Sequence, residues 1–245
     1  MDKMLYVAMS GAKETLRAQA ANSHNLANAS TNGFRADLSA FQSRAVTGSG
    51  FASRVYATNS TTGWDQTVGA QISTGRDLDV SINGDGFIAV QGHDGREAYT
   101  RAGDLMIDAN GQLMTKTGLP VMGDGGPLSV PPNNTLAIAP DGTVSIVPQG
   151  QGPQTTASVG RIKLVNPGNA NLDRGEDGLF RMRDGSDAPA EATVRLTSGA
   201  LETSNVNAAQ SMVNMIELAR NFDLQVKVMK SAEDNGAASA QLLRT

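Results

Sequence analysis

Asp77 and Asp79 stand two residues apart in a stretch whose apolar residues alternate, which would put both carboxylates on one face of a strand. Such a pair can hold a cation or share a proton transfer. Nearby, Asn83-Gly84-Asp85-Gly86 and Asp108-Ala109-Asn110-Gly111 look like pieces of a calcium loop. Neither has the acidic spacing and closing glutamate of a complete one, so both read as turns and the acidic pair as solvated strand-edge residues. His24, in a polar helical run, and His93, in a turn, are too far apart in sequence to argue for a catalytic triad or a zinc site. Cysteine is absent, which removes disulfides, thiolate ligands and thiol nucleophiles. No nucleophile elbow, phosphate-binding loop or dinucleotide fingerprint occurs. The residues predict no catalytic, metal or cofactor-binding site, no cofactor and no enzyme.

The stronger patterns concern assembly. Met212, Met215, Ala219, Phe222, Val226 and Met229 recur at alternating steps of three and four, the a/d spacing of a coiled-coil stripe, and Val213, Ile216 and Leu218 widen that face. A second stripe runs Leu5, Met9, Ala12 and Leu16, then weakens through Gln19 and Ser23 to Leu26. Burial contributes roughly 1.5–3 kcal/mol per large apolar side chain, whereas ordering each helical residue costs about 1–2 kcal/mol, so neither helix should hold alone. Asn32-Gly33 is placed as the stop of the first helix with Phe34 folding back on its end, and Ser204 or Asn205 as the N-cap of the second.

Between the helices, residues 43–75 are rich in Ser, Thr and Gly with scattered apolar residues, among them Trp64, the sole tryptophan. This reads as an extended connecting region with docking side chains, Trp64 serving either local packing or as an anchor on a neighbour. From Asp77 the period becomes two, and Asn-Gly or Asp-Gly pairs recur at residues 83–86, 94–95, 110–111, 141–142 and 184–185. As hairpin turns these would place both central residues at positive φ. The predicted fold class is α+β: two terminal helices forming a coiled-coil-like assembly layer flank an extended linker region and an antiparallel all-β domain. The boundaries are 1–34, 35–75, 76–203 and 204–245.

The net charge of −4 and a pI near 5.2 give no basic patch for nucleic acid, and aromatic content of 4% beside 27 glycines suits a turn-rich β body. The opening MDKMLYVAMSGAKETL has no apolar run ending in a small-residue cleavage site, and no transmembrane span occurs, so neither a cleaved secretory signal nor membrane insertion is expected.

Two end segments carry a specific likeness. Asn25-Leu26-Ala27-Asn28-Ala29-Ser30-Thr31-Asn32-Gly33-Phe34 is similar to the signature of the flagellar basal-body rod and hook family. Ser204-Asn205-Val206-Asn207, with Met215-Ile216-Glu217 and Arg220-Asn221-Phe222, resembles the start of that family's closing helix. Gly86-Phe87-Ile88-Ala89-Val90, Ala98-Tyr99-Thr100-Arg101-Ala102-Gly103 and Gly160-Arg161-Ile162-Lys163-Leu164-Val165 extend the resemblance over the chain. The opening Met1-Asp2 followed by Leu5-Tyr6-Val7-Ala8-Met9-Ser10-Gly11-Ala12 favours a proximal rod member over a distal one, which shares many of the β motifs but opens differently. The resemblance implies a structural axial component in the periplasmic rod. It would pack its terminal helices among proximal and distal rod subunits and copies of itself, and leave the cell through the flagellar type III export apparatus without a cleaved signal. The interface would use Leu5, Met9, Ala12, Leu16, Leu26, Asn28, Asn32, Gly33, Phe34, Trp64 and the Met212 to Met229 stripe. A secreted β-rich adhesin or enzyme with helical oligomerisation ends is the alternative from another class.

Overall fold

The computed structural model describes residues 4–45, 55–150 and 155–242, without the side chains of residues 59–62. The chain divides into two compact units: a helical unit of residues 1–29, 36–65 and 206–245, and a β body of residues 30–35 and 66–205.

The helical unit holds α1 (Met4–Ala27) and α2 (Ala208–Leu242) with a hairpin of β1 (Asp37–Ala45) and β2 (Val55–Trp64). The hairpin register runs from Asp37 opposite Trp64 to Ala45 opposite Val55, with one irregularity at Leu38/Ser39. Part of the Ser/Thr/Gly-rich stretch is therefore paired antiparallel backbone, because Thr, Val and Tyr favour a pleated strand. Residues 46–54 of that stretch lie outside the described residues. The second helix starts later than its signature suggested. Asn207 is the N-cap, its side-chain oxygen accepting the Gln210 N–H at 3.1 Å.

The β body is antiparallel throughout. A five-stranded sheet has the order Leu164–Val165, Phe87–Gln91, Glu97–Thr100, Phe180–Met182, Leu172–Arg174. A three-stranded sheet joins Asn133–Ile138, Thr143–Pro148 and Ala157–Arg161, where Leu136 faces Ile146 and Ile138 faces Val144 across the ladder. The core gathers the inward residues of these strands, with Val80, Ile88, Val90, Leu105, Leu113, Val121, Val144 and Ile162 fully buried. The period-two reading holds where a strand sets alternate residues on that core, as Leu136 and Ile138 and Val144 and Ile146 do. Tyr99 is also fully buried, and its phenol oxygen accepts the Ala188 N–H at 2.6 Å. Burial pushes its pKa well above the usual tyrosine range.

The turns are built differently from the expectation. Gly95, Gly111, Gly142 and Gly185 are at positive φ, but no non-glycine residue is among the described residues. The acidic residue does not take positive φ and caps the turn with its side chain. Asp94, Asp108, Asp141 and Asp184 each accept the N–H two residues on, at 3.2, 2.9, 3.1 and 3.0 Å. Two of the presumed hairpins are absent as well. Strand Val80–Asn83 pairs with Arg195–Ser198, not with Phe87–Gln91, so residues 83–86 form a corner; Asp184-Gly185 likewise follows a strand that pairs elsewhere. Asp79 is not a solvated edge residue. It is 5% exposed and accepts a hydrogen bond from Arg76 Nη1 at 3.1 Å, while Asp77 is exposed. Among the described residues no group of acidic and histidine side chains could hold a metal ion.

Candidate assembly interface

The two helices run antiparallel. Asn22 Nδ2 donates to Ser211 O at 2.7 Å, and a side chain added at Gly11 would begin 3.1 Å from Gln225 Cδ. The side of α1 withdrawn from solvent is made largely of small residues: Ala8, Ala12, Thr15 and Ala18 are buried and Gly11 is half-buried, with Glu14 the one large side chain buried among them. On α2 the withdrawn positions include Ser211, Met215, Leu218, Phe222, Gln225, Met229 and Ala232, again at steps of three and four. The stripe read from the large apolar residues is thus split. Met215, Phe222 and Met229 are half-buried, whereas Met212, Ala219 and Val226 are exposed. On α1 the split is sharper. Ala12 is buried and Leu26 half-buried, but Leu5, Met9 and Leu16 point to solvent.

Small residues remove little apolar area from water, so α1 contributes little to the seam and most of its apolar area comes from α2. Many other large apolar side chains lie outside it: Met4, Leu5, Tyr6, Met9 and Leu16 on one helix, Met212, Val213, Ile216, Leu224 and Val226 on the other. Leu16 is 50% and Ile216 55% exposed, values that mark a contact surface when such residues cluster.

The end of α1 is tied to the hairpin by the side chains of Asn25 and His24. Asn25 Nδ2 donates to Asp37 O at 2.9 Å and Asn25 Oδ1 accepts Asp37 N–H at 2.7 Å, so its amide imitates a neighbouring strand. His24 Nδ1 lies 2.6 Å from Asp37 Oδ2, and Asn28 Nδ2 donates to His24 O at 3.0 Å. Trp64, opposite Asp37 in the hairpin, is half-buried. Because Asn25→Ala removes both amide bonds at once, amide exchange across β1 should accelerate about tenfold, a net loss of about 1–2 kcal/mol, while exchange in the β body stays unchanged. Unaltered exchange at Asp37 and its neighbours would show that the amide contributes nothing.

The β body contains the polar cluster that the sequence did not announce. Glu202 is fully buried, with Oε1 at 2.6 Å from Arg35 Nη1 and Oε2 at 2.7 Å from Arg101 Nη2. Oε1 also accepts the Gly69 N–H at 3.0 Å. Arg101 uses its remaining donors on the corner before Phe87, reaching Gly84 O at 2.9 Å and Gly86 O at 3.0 Å. Gly33, at φ 67°, donates its N–H to Glu202 O at 2.8 Å. It therefore does have the left-handed backbone expected, but α1 ends at Ala27 and Gly33 serves this cluster, not the helix end. Phe34 is buried with the Arg174 guanidinium 4.5 Å from its ring centre, and Asn32 Nδ2 donates to Asp104 Oδ2 at 3.3 Å.

Comparison with known proteins bears on this arrangement directly. Residues 5–35 match the model described as flagella basal body rod protein, residues 81–146 the flagellar hook protein FlgE/F/G D1 domain, and residues 197–242 the flagellar basal body rod FlgEFG protein C-terminal. The flagellar basal-body rod protein FlgF of Escherichia coli (strain K12) is 45% identical over 249 residues, covering 99% of each chain. This chain belongs to the flagellar basal-body rod protein family. The FlgF protein of Caulobacter vibrioides is 31% identical, over 99% of this chain and 98% of its own, and a FlgG protein of Buchnera aphidicola subsp. Acyrthosiphon pisum is 34% identical over 86% and 88%. As a flagellar basal-body rod protein the chain is structural and not an enzyme. Arg35, Arg101 and Glu202 fall one in each of the three matched segments of the rod protein, so the cluster joins all three. Sequence reading passed over it because pairing between charges so far apart in the chain leaves no local pattern, although Arg101 lay in a quoted motif and Arg35 directly follows Asn32-Gly33-Phe34.

Proposed function

We propose that this rod protein is a proximal rod component that joins adjacent rod subunits, including copies of itself, and transmits motor torque outward for swimming. Membership of the rod family implies assembly with rod subunits; the narrower reading rests on one observation. Ten large apolar residues of α1 and α2 are left exposed, outside the seam between those helices, where neighbouring helices can take them up. In this reading Leu5, Met9 and Leu16 with Met212, Ala219 and Val226 form the contacts between subunits. Met215, Phe222, Met229, Ala12 and Leu26 support them from within, Asn28, Asn32, Gly33 and Phe34 shape the chain leaving α1, and Trp64 is an anchor beside the hairpin. The rod lies in the periplasm in this reading, and the chain reaches it through the flagellar type III export apparatus without a cleaved signal.

The pair Leu16→Asp and Ile216→Asp tests it, since both side chains are exposed and neither supports the fold. The double variant should keep wild-type circular dichroism and secretion yet fail to enter basal bodies, with swimming lost. Normal swimming of that strain would overturn the assignment of these faces.

A further inference from the structure

The chain passes between its two units four times, after residues 29, 35, 65 and 205. On the β-body side these passages are bonded to one another. Asn205 N–H donates to Phe34 O at 3.3 Å, Asn205 Nδ2 to Thr67 O at 3.0 Å, and Gly33 N–H to Glu202 O at 2.8 Å. Glu202 completes the group by holding Arg35, Arg101 and the Gly69 N–H. We propose that this cluster is a clamp that makes α1 and α2 pair as if they were near neighbours in the chain, although residues 36–201 separate Arg35 from Glu202.

The argument is one of loop closure. Without the clamp, bringing Asn22 to Ser211 closes a loop formed by everything between them. With it, the loop shrinks to the stretch from Asn22 to Gly33 plus that from Glu202 to Ser211. Closure probability falls as the three-halves power of loop length, so the clamp raises the local concentration of one helix at the other about thirtyfold. A seam that α1 lines largely with Ala, Gly and Thr depends on such help more than one with large apolar residues on both sides would, because those small side chains contribute little area.

The test uses the full chain, which has no native thiol. Gly11→Cys and Gln225→Cys place two thiols across the seam, the second substitution vacating the space 3.1 Å from the new Cβ. Equilibration with reduced and oxidised glutathione then reports the effective concentration of one thiol at the other. Two changes are made in that background. Glu202→Ala should lower the effective concentration, by up to about thirtyfold where the remaining backbone bonds of the clamp open with it. Inserting about twenty Gly and Ser residues between Asn205 and Val206 should lower it about threefold while circular dichroism shows the β body intact. The insertion decides the matter if Glu202→Ala loses the β body altogether. An unchanged effective concentration after the insertion, or a disulfide that persists at full strength when the β body is unfolded, would overturn the clamp. So would finding, in the unaltered clamp background, that disulfides form only between chains.

Discussion

Replacing Glu202 with alanine is expected to destabilise the β body by about 3–5 kcal/mol, the usual cost of stranding a buried charge, and that is a large share of the roughly 5–15 kcal/mol holding a domain together. The carboxylate is fully buried and the two guanidinium side chains are each 3% exposed, so water cannot replace it. Without it Arg35 and Arg101 are left as two buried like charges that have lost the carboxylate between them, and the Gly69 N–H loses its acceptor. Glu202→Gln keeps the size and an acceptor but leaves the same two charges, so it should rescue only part of the loss. The contrast is the exposed pair Asp173 and Arg183, with side chains 61% and 64% exposed, where Asp173→Ala should change stability by less than about 1 kcal/mol. Urea unfolding followed at the β body distinguishes the two. Equal midpoints for Glu202→Ala and Asp173→Ala would show that the buried carboxylate is not what holds the cluster.

Gly33→Ala should be nearly as damaging, for a steric reason that no charge argument supplies. A Cβ at residue 33 would lie 2.3 Å from the Arg101 carbonyl carbon and 2.4 Å from its oxygen, so backbone must move and not merely a side chain. Its φ of 67° adds about 1–2 kcal/mol of strain for any residue with a Cβ. Moving this backbone also lengthens the Gly33 N–H bond to Glu202 O, so the combined loss should reach about 3–4 kcal/mol. Gly95→Ala is the matched control: its φ is 77°, but nothing lies within 4 Å of the new methyl group, so it carries the strain alone. Thermal unfolding of the two variants side by side should show Gly33→Ala melting well below Gly95→Ala; coincident melting would remove the steric argument.

The sequence made some levels of this structure legible and left others silent, and the division has a physical cause. Alternating Leu78, Val80 and Ile82, and the pairs Leu136/Ile138 and Val144/Ile146, reported strands because each has one face on a core within the same unit. The two helices were legible from the spacing of their apolar residues, but which neighbour covers each stripe was not. Spacing says which side chains favour burial, and it does not say whether the covering surface belongs to the same chain. The seam that α1 and α2 share was quiet because Ala8, Gly11, Thr15 and Ala18 are too small to dominate a hydropathy pattern. Recurring Asp-Gly pairs located several turns correctly but not their conformation, since an aspartate that accepts the N–H two residues on needs no positive φ. The Glu202 cluster was silent because charge complementarity across the fold exists only once the fold does.

The exposed faces also have a mechanical side. Leu5, Met9 and Leu16 on α1 and Met212, Ile216 and Val226 on α2 project sideways, like the teeth of meshed gears, and not into the seam the two helices share. Stiffness against twisting would come from that lateral meshing and would grow with the number of subunits, so contacts that are weak singly become rigid in a ring of them.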